Sequence, residues 1–254
     1  MADRVTSSIS VDEVKTEIIH LAILGTMPII LNRMSEKARH ELLLPSGRKT
    51  AAEKAGSLKH DPIAEYRASP YLLLDDDEPT YLAGLSAWFK GAVMTAALRV
   101  PGAKKTEIGQ LLWVKGERIP LYGIPEVFTA ITRDASINRT PDVRTRAIVP
   151  KWATVISVEI VTPLLNSRSV INLFAAAGKV AGVGDWRPEK GKGTYGQFIV
   201  VDPEDERFLE VIENGGRDRQ IAAMEHPSPY DEETGDLMRW FDVEVELRGK
   251  KRAA

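Results

Sequence analysis

Residues 152–201, WATVISVEIVTPLLNSRSVINLFAAAGKVAGVGDWRPEKGKGTYGQFIVV, decide the fold. Trp152, Ile156, Val158 and Ile160 recur every second or fourth residue, which predicts a strand over 152–162 with one apolar face. Beyond Pro163, Asn166 or Ser167 is placed to cap a helix whose apolar stripe is Val170, Leu173, Phe174 and Ala177. That helix runs into Gly178, Gly182, Gly184, Gly191, Gly193 and Gly196, interleaved with Lys179, Arg187, Lys190 and Lys192. The chain then turns β-branched and aromatic at QFIVV, a second strand.

A loop this rich in glycine and base, set between a helix and a strand, suits nucleic acid. Glycine lets the backbone approach a ligand and aim N–H groups at phosphate oxygens, Lys and Arg supply charge, and Trp186 or Tyr195 offers a stacking surface. The other reading is structural: the glycines permit a tight crossover and Trp186 belongs to the core. GKGTYG satisfies G-x-G-x-x-G, but a dinucleotide fingerprint follows a strand and opens a helix, the reverse of the order here. The chain has no H-R-D, D-F-G or V-A-I-K, so a kinase glycine loop is also excluded, and no G-x-x-x-x-G-K-[ST] is present.

Outward from this stretch, residues 15–31 predict a first strand, with Ile19, Leu21 and Ile23 on one side and Ile18, His20 and Ala22 on the other. Residues 33–80 form a helix-leaning insertion. SAWFKGAVMTAALRV, 86–100, predicts a helix with Ser86 as N-cap and Trp88, Val93 and Ala96 or Ala97 inside. Strands follow over 109–114, 118–123, 127–135 and 143–149, with 115–150 a second insertion. An acidic extension, 202–254, ends in WFDVEVELRG, where Phe241, Val243, Val245 and Leu247 alternate with Asp242, Glu244, Glu246 and Arg248 as in a half-buried strand. Two strand–helix–strand halves predict an α+β fold: a ferredoxin-like or RRM-like antiparallel palm with helices on one face, large insertions and a Gly-rich loop near the end.

With 254 residues, 43% of them apolar, and no cysteine, the chain suits a single domain in a reducing, cytoplasmic setting without disulfides or thiolate metal sites. No apolar run is long enough to span a membrane. The net charge of −2 hides an asymmetry. Between 133 and 192 stand Arg133, Arg139, Arg144, Arg146, Lys151, Arg168, Lys179, Arg187, Lys190 and Lys192 against only Asp134, Asp142, Glu159, Asp185 and Glu189, whereas acid dominates after 201. One face should attract phosphate and another repel it or meet a basic neighbour, unless the charges are only solvated surface.

Catalytic signals are sparse. His20, His40, His60 and His226 are scattered without metal-ligand spacing. His20 is a candidate general acid or base for RNA cleavage, set against a satisfied strand histidine. Asp75, Asp76 and Asp77 are a candidate Mg²⁺ loop, set against a solvated turn. No catalytic residue, metal or cofactor is assigned, and a non-catalytic binding subunit is the leading reading, with enzymatic activity left undecided.

Three segments carry a resemblance. The strand ending in Thr26-Met27-Pro28-Ile29 resembles the opening strand of the CRISPR-associated RAMP superfamily, and YLAGLSAWFKGAVMTAAL, 81–98, resembles that family's G-S-S-L-K-G-A-L-R helix start. GVGDWRPEKGKGTYGQFIV, 182–200, resembles its terminal Gly-rich loop. Within the superfamily the two insertions are most similar to the backbone subunit of multi-subunit CRISPR effectors. The resemblance implies a palm with finger and thumb insertions, polymerising along guide RNA as part of antiviral defence. Family loops often read S-R-G-x-G, whereas Trp186, Arg187 and Pro188 sit mid-loop here, as in a diverged, free-standing or phage-borne relative. The expected nucleic-acid contacts are Lys90, Arg133, Arg139, Arg144, Arg146, Lys179, Trp186, Arg187, Lys190, Lys192 and Tyr195. The expected partners are single-stranded RNA, with single-stranded DNA not distinguished, and further subunits in a homo-oligomer or multi-subunit filament, with no membrane. A RAMP-type endoribonuclease, or a phage structural protein that keeps the fold without nucleic acid, are the alternatives.

Overall fold

The computed structural model describes residues 11–34, 60–133, 141–191 and 193–253. The chain opens with β1 (Lys15–Gly25) and a short β2 (Ile29–Ile30). After residues 35–59, which lie outside the described residues, come α1 (Pro62–Ala68), β3 (Tyr71–Leu72), β4 (Leu82–Leu85) and α2 (Ser86–Ala96). Next are α3 (Lys105–Leu111), β5 (Leu112–Val114), β6 (Arg118–Pro120), β7 (Glu126–Arg133) and β8 (Pro141–Val149). The last third holds β9 (Ala153–Thr162), α4 (Ser167–Val180), β10 (Phe198–Val201), α5 (Glu206–Asn214), α6 (Arg217–Glu225) and α7 (Glu232–Ala253).

Four strands form the palm in the order β10-β1-β9-β5, each antiparallel to its neighbour. The helix α2 lies in the connection from β1 to β5, and α4 in that from β9 to β10. Reduced to these parts the chain reads βαββαβ, and this strand order makes it ferredoxin-like. Alternation fixes the register: Ile19 opposes Val158 and Leu21 opposes Ile156, so both strands put their apolar side on one face. Against that face α2 buries Phe89, Ala92, Val93 and Ala96, and α4 buries Val170, Leu173, Phe174 and Ala177. The α4 cap is Asn166, whose side-chain oxygen accepts from the Ser169 N–H at 2.9 Å.

The start of α2 departs from expectation. It follows β4 without a loop, so Leu85 is its N-cap and Ser86 is already its first residue. That register turns Phe89 into the core, while Trp88 meets Tyr71 edge-on at 5.9 Å.

The first strand is also interrupted. The chain leaves the palm after Gly25, where the fully buried Trp152 indole fills the space a Cβ would need. Gly25 N–H donates to the Trp152 carbonyl and Trp152 Nε1 donates to the Met27 carbonyl, both at 2.8 Å. Past this turn, Ile29 pairs with Val149 and Ile30 with Ile148, so β2 joins a second sheet, β2-β8-β7. A third sheet, β3-β4-β6, completes the insertions.

The C-terminal extension is helical. Phe208 and Val211 of α5 cover Ala22, Leu24 and Ala153 on the palm face opposite α2 and α4. The segment expected to end in a strand is the helix α7. Its two-residue alternation is outweighed by end signals: Asp231 accepts from the Thr234 N–H at 2.8 Å, Glu232 and Glu233 occupy the first turn, and Arg248, Lys250, Lys251 and Arg252 close the sequence. Acid at the N-terminus and base at the C-terminus complement a helix dipole and do nothing for a strand.

One buried side chain ties these parts together. Gln220 of α6 accepts from the Tyr81 and Leu82 N–H groups at 2.7 and 2.9 Å. Its amide donates to the carbonyls of Leu121, Gly123 and Gly215 at 2.7, 3.0 and 2.9 Å. Gln220→Leu keeps the bulk and strands buried backbone groups, each worth about 1–3 kcal/mol when unsatisfied. We expect a loss of about 3 kcal/mol or more in urea unfolding, with the denaturant slope unchanged.

Candidate nucleic-acid interface

The loop that follows α4 is fastened by backbone hydrogen bonds rather than free. Gly182 N–H bonds the Ala177 carbonyl and Val183 N–H the Gly196 carbonyl, both at 2.9 Å. Two further bonds reach the turn after β1: Gly196 N–H to the Pro28 carbonyl at 2.7 Å and Asp185 N–H to the Ile30 carbonyl at 3.0 Å. Gly196 has φ 67°, and a Cβ there would strike the Val183 carbonyl, so glycine serves close packing at this position. Trp186 adopts φ 50°, a left-handed conformation costly for a bulky residue and held here by its surroundings.

Those surroundings are aromatic and charged. Phe128 of β7 meets Trp186, Tyr195 and Tyr230 with ring centroids 5.8, 6.0 and 5.9 Å away, over a floor of Ile30 and Ile148. Trp186 and Tyr195 are half-buried against this cluster. Burial, with the nearby Tyr230 and Asp231, pushes the Tyr195 phenol above its ordinary range. Arg146 of β8 stands opposite Phe128, ion-pairs with Asp185 and places its guanidinium 5.9 Å from the Trp186 ring centre. Burial and the charge of Arg144 pull Arg146 down to about 10, and the Glu65 carboxylate works against that fall.

Arg187 is likewise oriented from within. It donates to the Gly184 carbonyl and to Glu189, each at 2.8 Å, and Thr95 of α2 donates to the other Glu189 oxygen at 2.7 Å. The loop is therefore locked to α2 as well as to β2 and the turn before it.

The expected contacts separate into groups. Arg146, Trp186, Arg187 and Tyr195 come together. Arg144, one pleat along the same face of β8, is exposed and 3.8 Å from Asp142. Lys179 and Lys190 are exposed at the two sides of the loop. Lys90 does not join them: its ammonium lies 5.7 Å from the Trp113 ring of β5, the palm edge opposite β10. Arg133 ends β7, and nothing is described of its side chain; Arg139 and Lys192 lie outside the described residues. Sequence reasoning missed Phe128, Tyr230, Asp185, Glu189 and Thr95. Acids two residues on either side of Arg187 were the available sign that the loop pairs internally.

The catalytic candidates stay apart. His20 Nδ1 lies 2.9 Å from Ser157 Oγ on the open part of the palm face. Asp76 pairs with Arg217 at 3.0 Å, and Asp75 accepts from the Asp77 N–H at 3.2 Å, as turn residues do. Among the described residues no group of three or more His, Asp or Glu could hold a metal ion, and no helix is long and apolar enough to cross a membrane.

No family model matches the chain, and no curated protein matches its sequence. Among solved structures, a cryo-EM structure of the Type III-B Cmr-beta bound to cognate target RNA aligns with 74% of this chain at 13% identity and a TM-score of 0.38. The match spans 60% of that chain, less than two thirds of its length. A crystal structure of Cmr6 from Pyrococcus furiosus aligns with 74% of this chain and 98% of its own, at 10% identity and a TM-score of 0.37. The ferredoxin-like assignment stands on the strand order itself.

Because Asp185 depends on Arg146 for its counter-charge, Arg146→Met should destabilise the protein by about 3 kcal/mol in urea unfolding. Adding Asp185→Asn should recover part of that loss, giving a double-mutant cycle that is far from additive.

Proposed function

We propose that the chain is a non-catalytic nucleic-acid-binding subunit that grips the backbone of single-stranded or guide RNA at its loop end and assembles side by side along it. The observation that supports this is a loop end fastened to Pro28, Ile30 and Thr95, in which Trp186 and Tyr195 are half-buried while Lys179, Lys190 and Arg144 are exposed. Arg146 and Arg187 hold the loop in shape, and the exposed cations meet phosphate. A loop already ordered loses little entropy on binding, so modest charge can suffice. The order of motifs shared with the RAMP superfamily supports the same reading.

Purified protein should retain a labelled 30-nucleotide RNA at low salt, release it steeply as salt rises, and leave it intact. Lys179→Ala with Lys190→Ala should weaken binding to all sequences alike and lower the salt slope by about one unit for each phosphate no longer neutralised. Stability should move by no more than about 0.5 kcal/mol, since both side chains are exposed. No retention at low salt would sink the proposal, and cleavage of the RNA would favour the endoribonuclease alternative.

A further inference from the structure

An open cleft of about 280 Å³ lies between the last turn of α5, the entry to β7 and the turn that follows β8. Its walls are mainly apolar, from Ile124, Pro150 and Val211. Gly123 and Gly215 also line it and meet backbone to backbone, the Gly123 N–H donating to the Gly215 carbonyl at 3.0 Å, so they bring no side chain to fill the space. At about 30 Å³ for a water molecule, the cleft has room for a chain of several carbon atoms.

Glu126 lines this cleft with a carboxylate that has no partner. The residue is half-buried, and among the described residues its side chain makes neither an ion pair nor a hydrogen bond. Burial alone pushes its carboxyl above the ordinary range, with no neighbouring cation to pull it back. The lining cation, Lys151, stands 3.5 Å from Glu210, with both side chains mostly exposed. That pair balances itself, and Glu126 is the charge left over. The last turn of α5 adds the negative end of a helix dipole. Apolar walls beside an unanswered carboxylate suit a ligand with an apolar stem and one positive head. A metal ion needs several oxygens, and among the described residues no group of three or more His, Asp or Glu could hold one.

We propose that this cleft binds a primary alkylammonium group, its carbon chain against Ile124, Pro150 and Val211 and its ammonium on the Glu126 carboxylate. A lysine side chain of an adjoining protein and a free polyamine both carry this chemistry. The cleft shares no residue with the loop end proposed for RNA, so either site can fail without the other.

Isotope-labelled native chain, titrated with n-butylammonium chloride at constant ionic strength, should show saturable shifts of the Gly123, Ile124, Val211 and Gly215 amide signals in NMR spectra. The uncharged n-butanol has the same carbon chain and should bind about tenfold more weakly or worse, a comparison that needs no variant. Glu126→Gln should weaken butylammonium binding about tenfold and leave the rest of the spectrum in place, because the carboxylate it removes supports no other group. The same titration with Nα-acetyl-lysine methylamide and with spermidine identifies the source: the tighter of the two at these amides is the ligand the cleft is shaped for. No saturable shift at these amides, equal binding of butanol and butylammonium, or unchanged affinity in Glu126→Gln would each overturn the proposal.

Discussion

The Trp152 indole, seated on Gly25, is the constraint on which the loop end depends. It ends β1, and its Nε1–H holds the Met27 carbonyl, which sets the path of the turn into β2. That turn aims the carbonyls of Pro28 and Ile30 at the Gly-rich loop, where Gly196 and Asp185 donate to them. Asp185, so placed, pairs with Arg146, and Arg146 stands against Trp186. A chain of contacts thus runs from one buried tryptophan to the surface proposed for RNA.

This chain of contacts changes the meaning of the glycines. Flexibility would leave the loop to be ordered at each binding event, at a cost of about 1–2 kcal/mol per residue fixed. Here that cost is met on folding. Glycine appears where backbone meets backbone, as at Gly178, whose missing Cβ lets α4 lie against the Phe198 carbonyl. The cations divide in the same spirit: Arg146 and Arg187 are committed to carboxylates and build the shape, while Lys179 and Lys190 remain at the surface.

Periodicity made much of the fold legible. The apolar faces of β1, β9 and α4 stood in the sequence, because each buries one side in a single core and the alternation or helical stripe is uncontested. The break at Gly25 was not legible, since it depends on Trp152, distant in sequence and brought close only by the β1–β9 register. The helix α7 was misread because its alternating valines suit a strand and its cap and charge ends were not weighed against them. Only its first half packs, at Thr234 and Met238, so the helix carries little apolar stripe to reveal it. At the loop end, residue types pointed to the Gly-rich segment, while Lys90 was assigned by motif position, and only the topology shows it at the opposite palm edge.

Amide hydrogen exchange across 182–196, with and without a 30-nucleotide RNA, tests the central claim of a preformed RNA surface most directly. The amides of Gly182, Val183, Asp185 and Gly196 should already be protected in the free protein, and RNA should add protection around the loop and the neighbouring face of β8. Fast exchange at those four amides in the free protein, or RNA-dependent protection confined to the opposite palm edge around Trp113, would contradict it.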